Sequence, residues 1–146
     1  MRLTEYAHLC LEKRLNNGDC VLDATAGNGY DTLKAAQLVQ PNGRVISIDI
    51  QEDAIEATEA KLTQAKLNNF CECHLGNHGK LLNTFDQTFD CIIFNLGYLP
   101  GSDKMIITTT KDTLSALNQS PKLLKENGML VVTAYRQHKA ERMKQN

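Results

Sequence analysis

The chain has 146 residues, a formal net charge of −1 at pH 7 and five cysteines. This length predicts a single domain, residues 1–146, and the balanced charge excludes a global basic field, so a nucleic-acid partner has to be bound through a local patch. No apolar run reaches transmembrane length, the first residues lack the apolar core of a signal peptide, and an odd number of cysteines is typical of reduced thiols; together these features predict a cytoplasmic protein with no membrane partner.

In chain order, helix-like and strand-like segments alternate. Apolar positions recur at near-helical spacing between Thr4 and Leu15, which predicts a leading helix. Strands are predicted at 20–22, 44–48, 70–75, 90–94 and 128–134, and further helices at 32–38, 52–67 and 113–125. The last of these helices contains Pro121, which is expected to interrupt it and to lie in a first turn. Such alternation predicts an α/β fold with a parallel, doubly wound sheet.

A glycine turn separates the first strand from the helix that follows it. The apolar run 20–22 leads through Asp23 into Gly27-Asn28-Gly29. Glycine is required where the backbone adopts a positive φ or where a ligand approaches the main chain closely. A ligand pocket is therefore predicted at the carboxyl end of this strand, with Asp23 either holding the turn or facing a cationic ligand.

The second strand ends on Asp49, about 20 residues after the glycine turn, where a carboxylate can accept hydrogen bonds from a ribose diol. NAD and S-adenosylmethionine (SAM) both contain such a ribose. Two features favour SAM. An acidic residue, Asp23, precedes the glycines, and Thr32 stands where the third glycine of a G-x-G-x-x-G dinucleotide motif would be.

The fourth strand leads into the segment Asn95-Leu96-Gly97-Tyr98-Leu99-Pro100-Gly101. An Asn side-chain oxygen and a neighbouring main-chain carbonyl can accept both hydrogens of an amino group, which would orient its lone pair towards an electrophilic methyl group. Tyr98 could stack on a planar base or close over the pocket. The same composition is also typical of an ordinary turn at the exit of a strand.

Three stretches carry a more specific pattern: residues 23–32, Asp49-Ile50-Gln51, and residues 94–104 followed by Ile107-Thr108-Thr109. Together they resemble the YtqB/MnmM-like class I methyltransferases, long labelled rRNA methylases, over residues 6–135. The resemblance implies a Rossmann-like fold with strand order 3-2-1-4-5 and a SAM-dependent enzyme. It also implies that the substrate is tRNA, methylated on the 5-aminomethyl group of 5-aminomethyl-2-thiouridine at the wobble position.

The residues and the resemblance together assign roles. The expected cofactor-binding residues are Asp23, Thr25, Gly27, Asn28, Gly29, Asp31, Thr32, Asp49, Gln51, Asn77, His78 and Asn95. Asn95, Tyr98 and Asp103 are the expected catalytic residues: the first two position the acceptor amine, and Asp103 or water takes its proton. The expected substrate-binding residues are Leu96, Gly97, Tyr98, Lys104, Thr108 and Thr109.

No metal site is predicted. Cys71 and Cys73, with His74 and His78 nearby, suggest a cluster, but Cys-x-Cys within a strand places both thiols on one face and no second pair stands at finger spacing. His8 and His138 are expected to have no partner that suggests catalysis.

The carboxyl-terminal region differs from the resembled family, whose members continue with a Gly-His-x-Gly-Gly-like segment, a helix and a strand pair. The sheet is therefore expected to lack that pair, and the fifth strand to be an edge that a homodimer could cover. Besides an active tRNA methyltransferase, two hypotheses stay open at this point. One is an inactive SAM-binding partner or scaffold module; the other is an NAD-linked oxidoreductase, which is disfavoured because no pyrophosphate-sized glycine loop is evident.

Overall fold

Strands and helices alternate along the chain in the computed structural model, which describes residues 2–96 and 103–134, with the side chains of 103–110 excluded. The strands are β1 Cys20–Asp23, β2 Arg44–Asp49, β3 Cys71–Leu75, β4 Phe89–Leu96 and β5 Leu124–Ala134. The helices are α1 Leu3–Arg14, α2 Tyr30–Val39, α3 Glu52–Gln64, α4 His78–Leu81 and α5 Asp103–Leu123, with short 3-10 turns at Asn68–Phe70 and Leu82–Thr84.

The five strands form one sheet in the order β3-β2-β1-β4-β5, and every neighbouring pair is parallel. The predicted parallel, doubly wound sheet and its strand order are thus confirmed. β1 lies at the centre, with Val21 in register with Val45 of β2 and Cys91 of β4. A central parallel strand is covered on both faces, which is why Val21 and Leu22 are both apolar and both fully buried.

Helices cover the two faces of the sheet and create two hydrophobic cores. Alternate residues along each strand face opposite cores, so Val21 belongs to one and Leu22 to the other. The first core includes Leu11 of α1, Ala35 of α2 and Leu62 of α3. The second core includes Leu82, which follows α4, together with Ala116 and Leu123 of α5. Because each fully buried aliphatic side chain contributes about 1.5–3 kcal/mol, these cores hold the helices against the sheet.

Several element boundaries differ from those predicted. α3 ends at Gln64 instead of 67, since Lys66 adopts a left-handed conformation with φ 61°. Phe70 lies in a 3-10 turn before β3, β5 begins four residues early at Leu124, and the four-residue helix α4 was not predicted. The chain between β3 and β4 lacks a long apolar periodicity, so the pattern that reveals longer helices is absent from α4.

Pro121 lies in the last turn of α5, so the prediction that it interrupts the helix and occupies a first turn is wrong. A proline in a helix removes one backbone donor and crowds the carbonyl four residues earlier. Near the carboxyl end, little of the helix remains to be disturbed: α5 ends at Leu123 and β5 begins at Leu124.

β5 forms one edge of the sheet that the structure describes, as predicted. On this edge Leu130 is 40% exposed and Val132 is 44% exposed, whereas Val131 and Thr133, which alternate with them, are buried. Within the described ranges no helix combines the length and the apolar character needed to cross a membrane.

Candidate functional site

Three neighbouring parallel strands carry polar side chains to one edge of the sheet, which we call the carboxyl edge. β1 ends at Asp23, β2 ends at Asp49, and Asn95 is the penultimate residue of β4. The backbone N–H of Asn95 donates to Thr25 Oγ1 over 2.6 Å, so the glycine turn after β1 is tied directly to the end of β4. This arrangement brings Thr25, Gly27, Asp49 and Asn95 together around the turn.

Asp23 is fully buried and stabilises the glycine turn from beneath. Its Oδ1 accepts the backbone N–H of Thr25 at 3.1 Å, and its Oδ2 accepts the hydroxyl of Thr32 at 2.6 Å. Thr32 Oγ1 also lies 2.8 Å from Ser47 Oγ, which extends the network to β2. Of the two roles expected for Asp23, these contacts support holding the turn.

The environment of Asp23 alters its acidity. The pKa of its carboxyl is raised to about 7, mainly by burial and then by the nearby charge of Asp31, while the hydrogen bond from Thr32 acts in the opposite direction. At neutral pH the Asp23 carboxyl is therefore close to the midpoint of its titration.

Asp49 presents a fixed carboxylate beside the glycine turn. Its Oδ2 accepts the backbone N–H of Gly27 at 2.9 Å, and its Oδ1 accepts the backbone N–H of Gln51 at 2.9 Å. Each carboxylate oxygen can accept more than one hydrogen bond. Asp49 is partly exposed, so it can accept the hydroxyl groups of a ribose without giving up the contacts that orient it.

Glycine is required at the two positions of the turn for different physical reasons. Gly27 has φ 55°, and a Cβ built there would meet only the Thr25 carbonyl, at 3.9 Å, so its outer side is open to a ligand. Gly29 has φ 91°, and a Cβ there would lie 2.8 Å from Thr58 Cα, so this glycine permits the start of α2 to pack against α3. Asn28 between them is exposed at the tip of the turn.

Asp31, in the first turn of α2, bridges two other elements. Its Oδ1 lies 2.7 Å from His8 Nε2 of α1, and its Oδ2 accepts the Asn95 side-chain Nδ2 at 3.3 Å. Asp31 is only 6% exposed. His8, for which the sequence indicated no partner, thus contacts Asp31, itself one of the predicted cofactor-binding residues. Helical spacing could not reveal this contact, since it joins side chains 23 positions apart on different helices.

Asn77 and His78 both hold local structure. Asn77 Oδ1 caps α4 by accepting the backbone N–H groups of Gly79 and Lys80. His78 Nδ1 lies 2.9 Å from the Ala24 carbonyl, and its Nε2 lies 3.2 Å from Thr113 Oγ1. Because a carbonyl only accepts, Nδ1 carries the proton and Nε2 accepts the threonine hydroxyl. His78 thereby joins the glycine turn to α5, and an adenine contact for either residue stays a prediction.

Two exposed apolar side chains stand near Asp49 at the carboxyl edge. Ile50, which follows β2, is 41% exposed, and Leu75, the register partner of Asp49 at the end of β3, is 55% exposed. Large apolar side chains beside a carboxylate are suited to a planar base attached to a ribose. In the sequence, only their position at or after the ends of the strands marked these two residues.

The thiols of β3 are partly buried. Burial raises the pKa of Cys71 to about 11 and that of Cys73 to about 12. Across the part of the chain that the structure describes, no group of three or more His, Cys, Asp or Glu side chains is arranged to hold a metal ion.

The remaining predicted residues lie at or beyond the end of β4. Leu96, the last residue of β4, is partly exposed next to Asn95. Gly97 and Tyr98 lie outside the described residues. Asp103, Lys104, Thr108 and Thr109 belong to α5 by their backbone, and their side chains lie outside the description. The roles of these six residues stay predictions.

Comparison with known proteins identifies the family. The model of the family described as "Putative rRNA methylase" matches residues 45–145. The chain belongs to this family. The family resemblance inferred from the glycine turn and the exit of β4 is therefore confirmed.

Individual relatives agree with this rRNA methylase family in sequence and in fold. The chain is 38% identical over 94% of its length to the "tRNA (mnm(5)s(2)U34)-methyltransferase, chloroplastic" of Arabidopsis thaliana. It is 32% identical over 92% of its length to the crystal structure of a "putative rRNA-methylase" from Clostridium thermocellum, of which it covers 70% with a TM-score of 0.80. It is 30% identical over 98% of its length to a "putative methyltransferase" from Streptococcus mutans in complex with SAH, of which it covers 78% with a TM-score of 0.81.

The chain matches only part of the length of the curated relatives. The chain spans 54% of the length of the Arabidopsis thaliana protein and 62% of that of a probable cobalt-precorrin-6B C(15)-methyltransferase of Saccharolobus solfataricus. Family membership and the class I fold hold for the chain itself, whereas its activity and partners are matters for a proposal.

Proposed function

We propose that this chain is a SAM-dependent methyltransferase that acts on tRNA by N-methylation of the 5-aminomethyl group of 5-aminomethyl-2-thiouridine at the wobble position. The observation that carries the proposal is the hydrogen bond from Gly27 N–H to Asp49 Oδ2 at 2.9 Å. It fixes a carboxylate beside an open glycine turn, which is the arrangement that a nucleoside cofactor requires.

The surroundings of the turn favour SAM over a dinucleotide. Thr32 occupies the place of the third glycine and is fully buried against Asp23 and Ser47, so this position serves an internal network. SAM carries a sulfonium cation, and the carboxyl groups of Asp31 and Asp49 lie beside the turn. Opposite charges in a poorly solvated site attract more strongly than in water.

Asn95 supports an amine as the methyl acceptor. Its Nδ2 donates to Asp31 Oδ2, because a carboxylate oxygen can only accept. Asn95 Oδ1 is then the atom of the amide on the side away from Asp31, where it can accept an N–H of the acceptor. Holding the amine in this way directs its lone pair at the methyl carbon. Positioning of this kind supplies much of the rate in a transfer between two bound molecules.

The tRNA partner, the location and the oligomeric state are proposed from the relatives, the sequence and the exposed residues of β5. Family membership and the tRNA methyltransferase of Arabidopsis thaliana support tRNA as the partner. We also propose a cytoplasmic location, on the sequence features described above, and a homodimer in which the exposed Leu130 and Val132 of β5 are covered. Light scattering of the purified protein tests the dimer, which a monomeric mass would contradict.

Methyl transfer to undermodified tRNA tests the function. Purified chain, SAM and tRNA that carries 5-aminomethyl-2-thiouridine are incubated, and the nucleosides are analysed by mass spectrometry. The proposal expects the 5-methylaminomethyl product with wild-type chain and a strong loss with Asn95→Ala. SAM binding without product would favour the inactive SAM-binding module, and binding of NADH without SAM would favour an oxidoreductase.

A further inference from the structure

Methyl transfer to an aliphatic amine requires that the amine lose a proton. The protonated nitrogen first loses one proton; the lone pair this frees then forms the new N–C bond as the C–S bond breaks, and the electron pair of the C–S bond leaves with sulfur. An aliphatic ammonium group has a pKa of about 10, so at neutral pH most of the acceptor lacks the lone pair that attacks. A base near Asn95 would supply the reactive form.

Two carboxyl groups of the site are poorly placed for this task. Asp23 is 0% exposed, and its oxygens accept hydrogen bonds from Thr25 and Thr32. Asp49 lies at the end of β2, where its oxygens accept the N–H groups of Gly27 and Gln51. The first is screened from any substrate, and the second is assigned to the ribose.

The His8–Asp31 pair lies next to Asn95 and has a basic nitrogen to offer. Because the Asp31 carboxylate accepts, His8 Nε2 carries the hydrogen of the 2.7 Å contact, and Nδ1 is the basic nitrogen of the neutral ring. The His8 side chain is 24% exposed, whereas that of Asp31 is 8% exposed, so the imidazole is the more accessible member. A carboxylate in this position fixes the tautomer and stabilises the imidazolium that forms when a proton arrives.

Asp31 also connects the imidazole to the residue expected to bind the amine. One carboxylate oxygen contacts His8 and the other accepts from Asn95 Nδ2, so the two side chains are only two hydrogen bonds apart. A single carboxylate therefore orients both the amide and the imidazole.

The charged groups around His8 come from α1, α2 and β1. On α1, Glu12 lies one turn further along and pairs with Lys34 of α2 at 2.6 Å, which offsets both charges. Asp31 is the carboxylate in direct contact, and Asp23 of β1 interacts electrostatically with Asp31. Asn95, from β4, is uncharged.

We infer that His8 is the base of this site: its Nδ1 takes the proton of the acceptor ammonium, while Asp31 holds its Nε2–H. The inference rests on the proposed function. The proton leaves the ammonium nitrogen before the N–C bond forms, because only then is a lone pair available, and it is released to solvent from the imidazolium afterwards.

Two substitutions distinguish whether His8 acts as a base or only stabilises the packing of α1 against α2. His8→Gln keeps an N–H donor for Asp31 and removes the basic nitrogen, whereas His8→Ala removes both. His74→Gln is the matched control, since His74 is an exposed histidine of β3 that contacts Glu72. The readouts are kcat for tRNA methylation across pH, SAM affinity by calorimetry, and rescue by added imidazole.

If His8 is the base, His8→Gln and His8→Ala should both lower kcat about 100-fold at pH 7. SAM affinity should stay within about twofold of wild type. Imidazole should restore part of the activity of His8→Ala, and the deficit should narrow as pH approaches the amine's own pKa. Wild-type kcat in His8→Gln, or a deficit that neither imidazole nor high pH reduces, would overturn the inference while leaving the proposed function intact. A wild-type chain that binds SAM but transfers no methyl group would overturn both.

Discussion

The backbone N–H of Gly27 donates to Asp49 Oδ2 over 2.9 Å, which joins the glycine turn after β1 to the end of β2. The turn and the carboxylate thus position each other through a contact within the protein. A site organised in advance loses less conformational entropy on binding than one that must be ordered by its ligand. The pair is the structural basis of the cofactor site proposed for this member of the rRNA methylase family.

Asp49→Ala should weaken SAM binding about 100-fold, because hydrogen bonds from two hydroxyls to a charged acceptor are lost. Calorimetric titration measures the effect. Asp53→Ala is the control, since Asp53 is an exposed acidic residue in the first turn of α3 and its removal changes the net charge equally. Equal weakening in both variants would show that total charge, and not a specific contact, governs binding.

Gly29→Ala should destabilise the protein by about 3 kcal/mol or more, since strain from a positive φ adds to a clash with backbone. A Cβ at Gly29 would lie 2.8 Å from Thr58 Cα. Gly18→Ala provides the comparison, because Gly18 has φ 97° and nothing within 4 Å of its Cβ position. This control should cost about 1–2 kcal/mol. Urea unfolding of both variants measures the difference, and equal losses would contradict the close packing of α2 against α3.

Thr25→Val should leave the Asn95 N–H without its acceptor and cost about 1–3 kcal/mol of stability. The hydrogen bond to Thr25 Oγ1 is 2.6 Å long in the native protein. Thr25→Ser keeps the hydroxyl and should stay close to wild type. Unfolding free energies and methylation rates are compared for both variants. A serine variant as impaired as the valine variant would contradict this assignment, because serine keeps the hydroxyl that accepts the Asn95 N–H.

Asp23 should make stability depend on pH. Its pKa is raised from 3.8 to about 7 in the folded protein, mainly by burial and then by the charge of Asp31. The folded state therefore holds this proton more tightly than the unfolded state does. The contribution of Asp23 to stability is constant below about pH 4, falls by up to about 1.4 kcal/mol per pH unit between pH 4 and 7, and is constant again above that range.

Asp23→Asn should remove this loss, because its amide resembles the protonated carboxyl and can donate to Thr32. The difference in unfolding free energy between variant and wild type should grow in favour of the variant from pH 5 to pH 7. Urea unfolding at several pH values measures it, with Asp53→Asn as the surface control. A difference that does not change with pH would contradict a raised pKa at Asp23.

The strand ends were predictable from sequence, and the reasons are local. A buried parallel strand is an apolar run, and the polar residue that ends such a run has to lie at the carboxyl edge, as Asp23, Asp49 and Asn95 do. The sheet order was implied by the family resemblance carried by the same residues. The different reasons for Gly27 and Gly29 were not predictable, because they depend on what lies opposite each α-carbon.

Contacts between distant elements could not be predicted from the sequence pattern. His8 meets Asp31 only because α1 packs beside α2, and the apolar spacing of α1 does not say which helix its polar side faces. His78 was expected near the adenine, but a single sequence does not show that it spans from Ala24 to Thr113. Asn77 is an N-cap, and the short helix it begins has too few residues for a periodic signal.

Calorimetric titration of the wild-type chain with SAM and, separately, with NADH tests the central claim most directly. The arrangement of Gly27, Asp49 and Thr32 predicts saturable one-to-one binding of SAM and no binding of NADH. Binding of NADH, or no binding of SAM by a chain shown to be folded by circular dichroism, would contradict the assignment of the carboxyl edge as a SAM site.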